Sequence, residues 1–185
     1  MSLWGNDIKP KNLTDAEKKE VYATKQGWVR EAGSILSGNG NTSADPEVLV
    51  AISNLSANMG SANITELEFI TTAFDKSDGG TLQVRARFNE PVTVTGTPQL
   101  TVVNDQRANH TLSYASGSTT NELVFSLTIG AANSATNAGD ELSLGANAIS
   151  LNGGTIKDTG QSGTNATITN AASIGTAAGT ITVAA

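Results

Sequence analysis

Cysteine is absent from the 185 residues, so no disulfide can staple the fold, and neither a thiolate nucleophile nor a cysteine-based zinc site is available. Histidine occurs once, at His110. A Ser-His-Asp arrangement with Asp105 can be drawn, yet nothing resembles a nucleophile elbow or an oxyanion-hole loop, and the expectation is a protein without catalytic function. Aromatic side chains are scarce, with two Trp, two Tyr and four Phe, so a core must be built mostly from aliphatic residues. No run approaches the roughly 18 apolar residues of a membrane span. The opening MSLWGNDIKPKNLTDAEKKE lacks the apolar stretch of a signal peptide, which predicts synthesis in the cytoplasm and no membrane partner. Basic residues are few as well: 11 Lys and Arg stand against 17 Asp and Glu, for a net charge of −6. Such a chain lacks the cations that displace counterions from phosphates, and no nucleic-acid partner is expected.

What the sequence does hold is strand grammar. Leu82, Val84, Ala86 and Phe88 alternate with Gln83, Arg85 and Arg87, and Leu123, Phe125, Leu127 and Ile129 repeat the two-residue period of a half-buried strand. Gly96-Thr97-Pro98 and Ser116-Gly117-Ser118 punctuate these runs as turns. Ten strands are predicted: 66–72, 81–88, 92–95, 99–103, 110–115, 122–129, 141–144, 148–151, 166–169 and 180–183. Pro91 and Pro98 should mark strand starts or edges, because neither can donate to a ladder. Phe88, Leu112, Leu123, Phe125 and Leu127 are the expected core.

The acidity is concentrated in this part of the chain. Residues 62–185 carry five Lys and Arg against ten Asp and Glu, whereas residues 1–35 carry six against five. Asp75, Asp78, Glu90, Asp140, Glu141 and Asp158 fall in or beside expected loops, where calcium would find oxygen ligands, but no Asp-x-Asp-x-Asp run gathers them. The expectation is solvated loop acids and a fold that needs no cofactor, with calcium as the alternative.

The blocks Phe88-Asn89-Glu90-Pro91-Val92, Val94-Thr95-Gly96-Thr97-Pro98-Gln99-Leu100-Thr101, Tyr114-Ala115-Ser116-Gly117-Ser118, Leu123-Val124-Phe125 and Leu151-Asn152-Gly153-Gly154-Thr155-Ile156-Lys157-Asp158 occur in an order that resembles the bacterial immunoglobulin-like repeats of large surface and biofilm proteins. The resemblance spans about residues 63–185. It implies an all-β fold, an immunoglobulin-like antiparallel β-sandwich, and no particular reaction.

Ahead of it the sequence reads differently. Thr14-Asp15-Ala16-Glu17 has capping-box spacing and predicts one short helix to about Glu20. Val21-Tyr22-Ala23-Thr24 and Trp28-Val29-Arg30 flank Lys25-Gln26-Gly27 as a hairpin, with a longer helix as the competing reading. Glu47-Val48-Leu49-Val50-Ala51-Ile52 reads as a further strand, and 56–63 as a linker. Residues 1–60 hold too little apolar material to make a core, so they are expected to act as an extended attachment arm, with 61–185 as the sandwich. A tryptophan in such an arm either anchors its own domain or is buried against a partner. Met1-Ser2-Leu3-Trp4-Gly5, Val21-Tyr22-Ala23-Thr24, Gly27-Trp28-Val29 and the strand at 47–52 resemble the openings of small virion structural proteins in contractile-tailed phages of marine cyanobacteria.

The second resemblance implies a particle component on the capsid exterior, a decoration or cement protein whose partners are the major capsid protein and sister subunits. The expected interface is Trp4, Tyr22, Trp28, Val48, Leu49 and Val50, with the sandwich left to touch host glycans weakly. A bacterial adhesin repeat and a tail or neck protein are the alternatives.

Overall fold

The computed structural model describes residues 9–10, 12–34 and 42–185. The helix α1, Asp15–Lys19, forms where the capping box predicts it: Thr14 Oγ1 accepts from the Glu17 amide at 3.3 Å, and Glu17 Oε2 accepts from the Thr14 amide at 2.8 Å. Strands β1, Val21–Thr24, and β2, Gly27–Arg30, form the hairpin, from Val21 opposite Arg30 to Thr24 opposite Gly27. β3, Glu47–Ala51, adds to the other edge of β2, with a bulge opposite Trp28 and Val29. Gly27 has φ 133°, and a Cβ there would stand 2.0 Å from the Val50 carbonyl oxygen, so the close approach of β3 requires glycine.

A short helix, α2, spans Leu55–Asn58, across the start of the segment expected to be a linker. Its Leu55, together with Met59 one turn on, closes over Val21, Ala23 and Trp28, with Leu13, Leu49, Val50 and Ile52 packed around them. The expectation that the first sixty residues cannot make a core is therefore corrected. The side chains that complete it, Leu55 and Met59, lie in and just after a helical turn too short to show a period of its own.

The larger sheet begins with β4, Ile64–Phe69, and β5, Phe74–Asp75. β6, Gly80–Thr95, β7, Gln99–Asn104, β8, His110–Ser116, and β9, Thr120–Ile129, make its long strands. β10, Glu141–Ser143, β11, Ile149–Ser150, β12, Thr155–Asp158, the helix α3, Ala172–Ala177, and β13, Thr180–Ala184, complete the chain. The fold is all-β. Ten strands form one curled sheet, bonded in the order β12-β6-β9-β8-β7-β10-β13-β5, with β11 on β7 and β4 on β6. All its pairings are antiparallel except that of β13 with β5.

β6 joins two of the expected strands into one. Its first part pairs with β4 and β9, and its last four residues pair with β12. The register with β9 breaks between Arg87 and Val92, which is where Pro91 removes a ladder donor, so the proline sits at a change of partner and does not end the strand. The expected strand at 166–169 is absent as such; Asn165 and Thr167 make single bridges to Lys157 and Asn63.

Leu82, Val84, Ala86 and Phe88 point into the core as their alternation predicts, against Leu100, Leu112, Leu123 and Phe125. Leu127 is only partly buried and packs at the margin. Tyr114 meets Phe125 edge to face, with ring centroids 6.2 Å apart.

Candidate docking surface

The small sheet sits against the outer face of the large one. β1 lies beside β6 and uses both of its own faces: Val21 and Ala23 enter the small core, and Tyr22, half-buried, turns toward Glu31 and Glu122. Burial and those two carboxylates raise the Tyr22 pKa. Beneath them lies Arg87, which the sequence places on the outward face of β6. Its side chain is only 9% exposed because the small sheet covers it. Its Nε meets Glu122 Oε1 at 2.7 Å and Glu31 Oε1 at 3.3 Å, and its Nη1 meets Glu66 Oε2 at 2.8 Å. Asn121 Nδ2 donates to Glu31 Oε1 at 2.9 Å, Lys19 Nζ pairs with Glu66 at 2.5 Å, and Arg85 bridges Glu68 and Glu122 at 2.6 and 3.4 Å.

The two ends of the Arg87–Glu31 pair respond in opposite senses. Burial works against the guanidinium, but the bond to Glu66, the charge of Glu31 and the bond to Glu122 outweigh it and raise the Arg87 pKa. Glu31 receives only a share of that one cation. Burial dominates there, and with Glu122 beside it the Glu31 pKa rises to about 7 despite Arg87. Burial likewise lowers Lys9 to about 8, against the pull of Glu31 and Glu66. Lys9 donates from Nζ to the Lys18 carbonyl, and with Trp28, Asn63, Thr65 and Asn89 it lines a cavity of about 370 Å³ beside this seat.

A second clamp holds the segment read as a linker. The Ala62 amide donates to Asp158 Oδ2 at 3.0 Å and the Asn63 amide to Asn89 Oδ1 at 2.6 Å, while Gln161 Nε2 donates to the Met59 carbonyl. Asp158 also accepts from the Gln161 amide at 2.8 Å. The small sheet is thus bonded to the large one at two places.

These contacts dispose of several expected interface residues in different ways. Trp4 lies outside the described residues. Trp28 is 2% exposed and anchors its own unit, which is the first of the two roles open to it; it is not presented to a partner. Tyr22 faces the large sheet. Leu49 and Val50 are partly buried against the small core, and Val48 alone of the set is well exposed, at 44%. Val48 lies on β3, the edge of the small sheet farthest from β1, and among the described residues no strand pairs with that edge. No family model, curated protein or solved structure matches this chain.

Of the acids expected in solvated loops, Glu90, Asp140 and Asp158 are instead buried, and several of the candidates hold turns together. Asp75 Oδ1 accepts from the Ser77 and Asp78 amides, which closes a turn. Asp105 Oδ1 accepts from the Glu141 amide and is not the partner of His110. That place belongs to Asn104, whose Nδ2 lies 3.5 Å from His110 Nε2 and donates to Asp140 Oδ2 at 2.9 Å. Among the described residues no group of three or more metal-ligating side chains converges. Burial lowers the His110 pKa, and the bond from Asn104, with the Asn137 amide and Arg107, holds Asp140 below the usual carboxylate range.

Asp140 is 1% exposed and its Oδ2 ties the 105–109 turn to the 130–140 loop. Asp140→Ala leaves Asn104 Nδ2 and the Asn137 amide without their acceptor, and the expected outcome is a melting temperature lower by roughly 5 °C or more at neutral pH. Because the folded pKa is depressed, this contribution is complete above the ordinary value of 3.8 and is lost as pH falls through the folded value. Thermal melts from pH 7 down to pH 2 should show the gap between wild type and variant closing at the acid end.

Proposed function

We propose that the chain is a non-catalytic structural protein of a phage particle, a capsid decoration or cement subunit. In this reading the small N-terminal sheet attaches to the major capsid protein and to sister subunits, and the larger β-domain, an immunoglobulin-like sandwich, projects from the shell. The observation that supports it best is the edge of β3. An exposed Val48 on an edge with no strand beside it, at the far side of a sheet whose other side is bonded to the large domain, suits strand addition to a partner. Repetition over a symmetric shell would let modest single contacts hold by avidity. The virion resemblance of the same segment supports the reading from the sequence side.

The test mixes undecorated capsids with the full chain and with Val48→Asp, and reads occupancy by sedimentation. Val48 is outside both cores, so the variant should melt as wild type does. Occupancy is expected to fall about tenfold or more, since an edge charge blocks strand pairing. Equal occupancy would remove β3 from the attachment surface. If neither chain binds capsids, the capsid placement fails and a tail or neck position, or the adhesin reading, takes its place.

A further inference from the structure

Glu31 leaves the end of β2 and enters a crevice walled by charge on every side. β6 supplies Arg87 and Arg85, β9 supplies Glu122 and Asn121, and β4 supplies Glu66 and Glu68. From the small unit come Tyr22 on β1, Lys19 on α1 and Lys9. Glu31 Oε1 and Glu122 Oε1 both reach the Nε of one arginine, Arg87, at 3.3 and 2.7 Å, which sets the two carboxylates side by side. Two carboxylates in one poorly solvated place favour holding a proton between them. Only the small sheet brings Glu31 there, so that proton is bound tightly only when the two sheets are in contact.

We propose that this seat is a proton-controlled joint, in which a proton taken up by the Glu31 carboxylate, set beside that of Glu122 on one arginine, tightens the small sheet onto the large one and its release loosens it. The inference does not depend on what the protein attaches to. Burial and Glu122 raise Glu31 to about 7, so its contribution is complete below the ordinary 4.5 and is lost as pH climbs through about 7. Lys9 acts in the opposite sense. Its pKa is depressed to about 8, so its contribution is complete only above 10.5 and is lost as pH falls through about 8. Tyr22, raised from 10.0, loosens the seat only in strong alkali, and Glu66, lowered from 4.5, only in acid. The seat is accordingly weakest between about pH 7 and 8, and acidification toward pH 5 tightens it.

Hydrogen exchange on the full chain reads this directly, with residues 21–30 compared against residues 123–127 as an internal reference and rates corrected for intrinsic exchange. Between about pH 7.5 and 5.5, protection of the hairpin is expected to rise roughly tenfold, the factor that one unit of bound-proton preference supplies, while the reference stays level. Glu31→Gln keeps an acceptor for Arg87 and Asn121 and offers Glu122 a donor, so its hairpin should be protected to the same degree at both pH values and no less than wild type at the lower one. A wild-type hairpin whose protection does not change with pH overturns the joint, and so does a Glu31→Gln hairpin that keeps the wild-type dependence. A carboxyl carbon-13 titration of the wild-type protein decides the matter without any variant. Glu31 should titrate near pH 7, and a Glu31 midpoint below pH 5 would refute the proposal.

Discussion

Replacing Phe125 by alanine is expected to destabilise the protein by about 3–5 kcal/mol, the range for truncating a fully buried aromatic residue. Phe125 is at the centre of β9, is wholly buried, pairs with Val84 across β6 and with Tyr114 across β8, and meets the Tyr114 ring edge to face. Removing it opens a cavity between the long strands and also leaves Tyr114 without its ring partner. Tyr114 cannot simply swing inward to fill the space, because its hydroxyl accepts from the Ser118 amide at 2.8 Å and holds the β8–β9 turn. Chemical denaturation at neutral pH measures the loss. Leu127→Ala two residues on provides the contrast, since Leu127 only packs at the margin and should cost much less. A Leu127 loss equal to that of Phe125 would mean that the core lies elsewhere on β9.

That core was legible because strand alternation is a local signal. Leu82 to Phe88 and Leu123 to Ile129 show the period in their own side chains, and the capping box at Thr14 and Glu17 shows its hydrogen bonds in its own spacing. Elements fixed by tertiary contact gave no such sign. α3 follows Ala171 at its N-cap, with no side-chain cap, and what positions it is Gly175, where a Cβ would stand 2.4 Å from the Leu144 carbonyl oxygen. β12 is four residues long and exists as the partner of 92–95, on the part of β6 beyond Pro91. The sequence divides β6 at that proline because a proline cannot donate; the chain runs on because the change of partner there asks for no donor.

The attachment residues show the same limit. Counting tryptophans marks Trp28 as a candidate anchor, and an anchor it is, but for a core that is completed by Leu55 and Met59, some thirty residues further along the chain. Alternation placed Arg85 and Arg87 on the outward face of β6 without showing that another sheet covers that face. Nothing in the residues around Glu31 marks it, because the groups that perturb it come from 56 and 90 residues away.

Arg87→Met should be the most damaging change outside the core, at about 3 kcal/mol at neutral pH, because removing one partner of a buried charge cluster strands the others. The methionine keeps much of the arginine stem, so lost packing is a small part of the cost. What remains is Glu31, Glu66 and Glu122 facing one another, with Lys19 on one side and Arg85 on the other. The pH dependence separates charge from packing. Despite burial, the bonds from Lys19 and Arg87 hold Glu66 below 4.5 in the native protein, so its contribution is present above that value and lost as pH falls through the folded one. Without Arg87 the stranded carboxylates take up protons more readily, and acid relieves the repulsion. The gap between wild type and Arg87→Met should therefore be widest near pH 7 and shrink toward pH 4 in denaturation curves. Adding Glu31→Gln to Arg87→Met removes the cost of burying that carboxylate charged or of protonating it, a cost that acid also removes, so the double variant is expected to recover part of the loss at pH 7 and little at pH 4. A gap of equal size at both pH values, with no recovery in the double variant, would mean that Arg87 matters for the shape of its side chain and that its charge is incidental to holding the two sheets together.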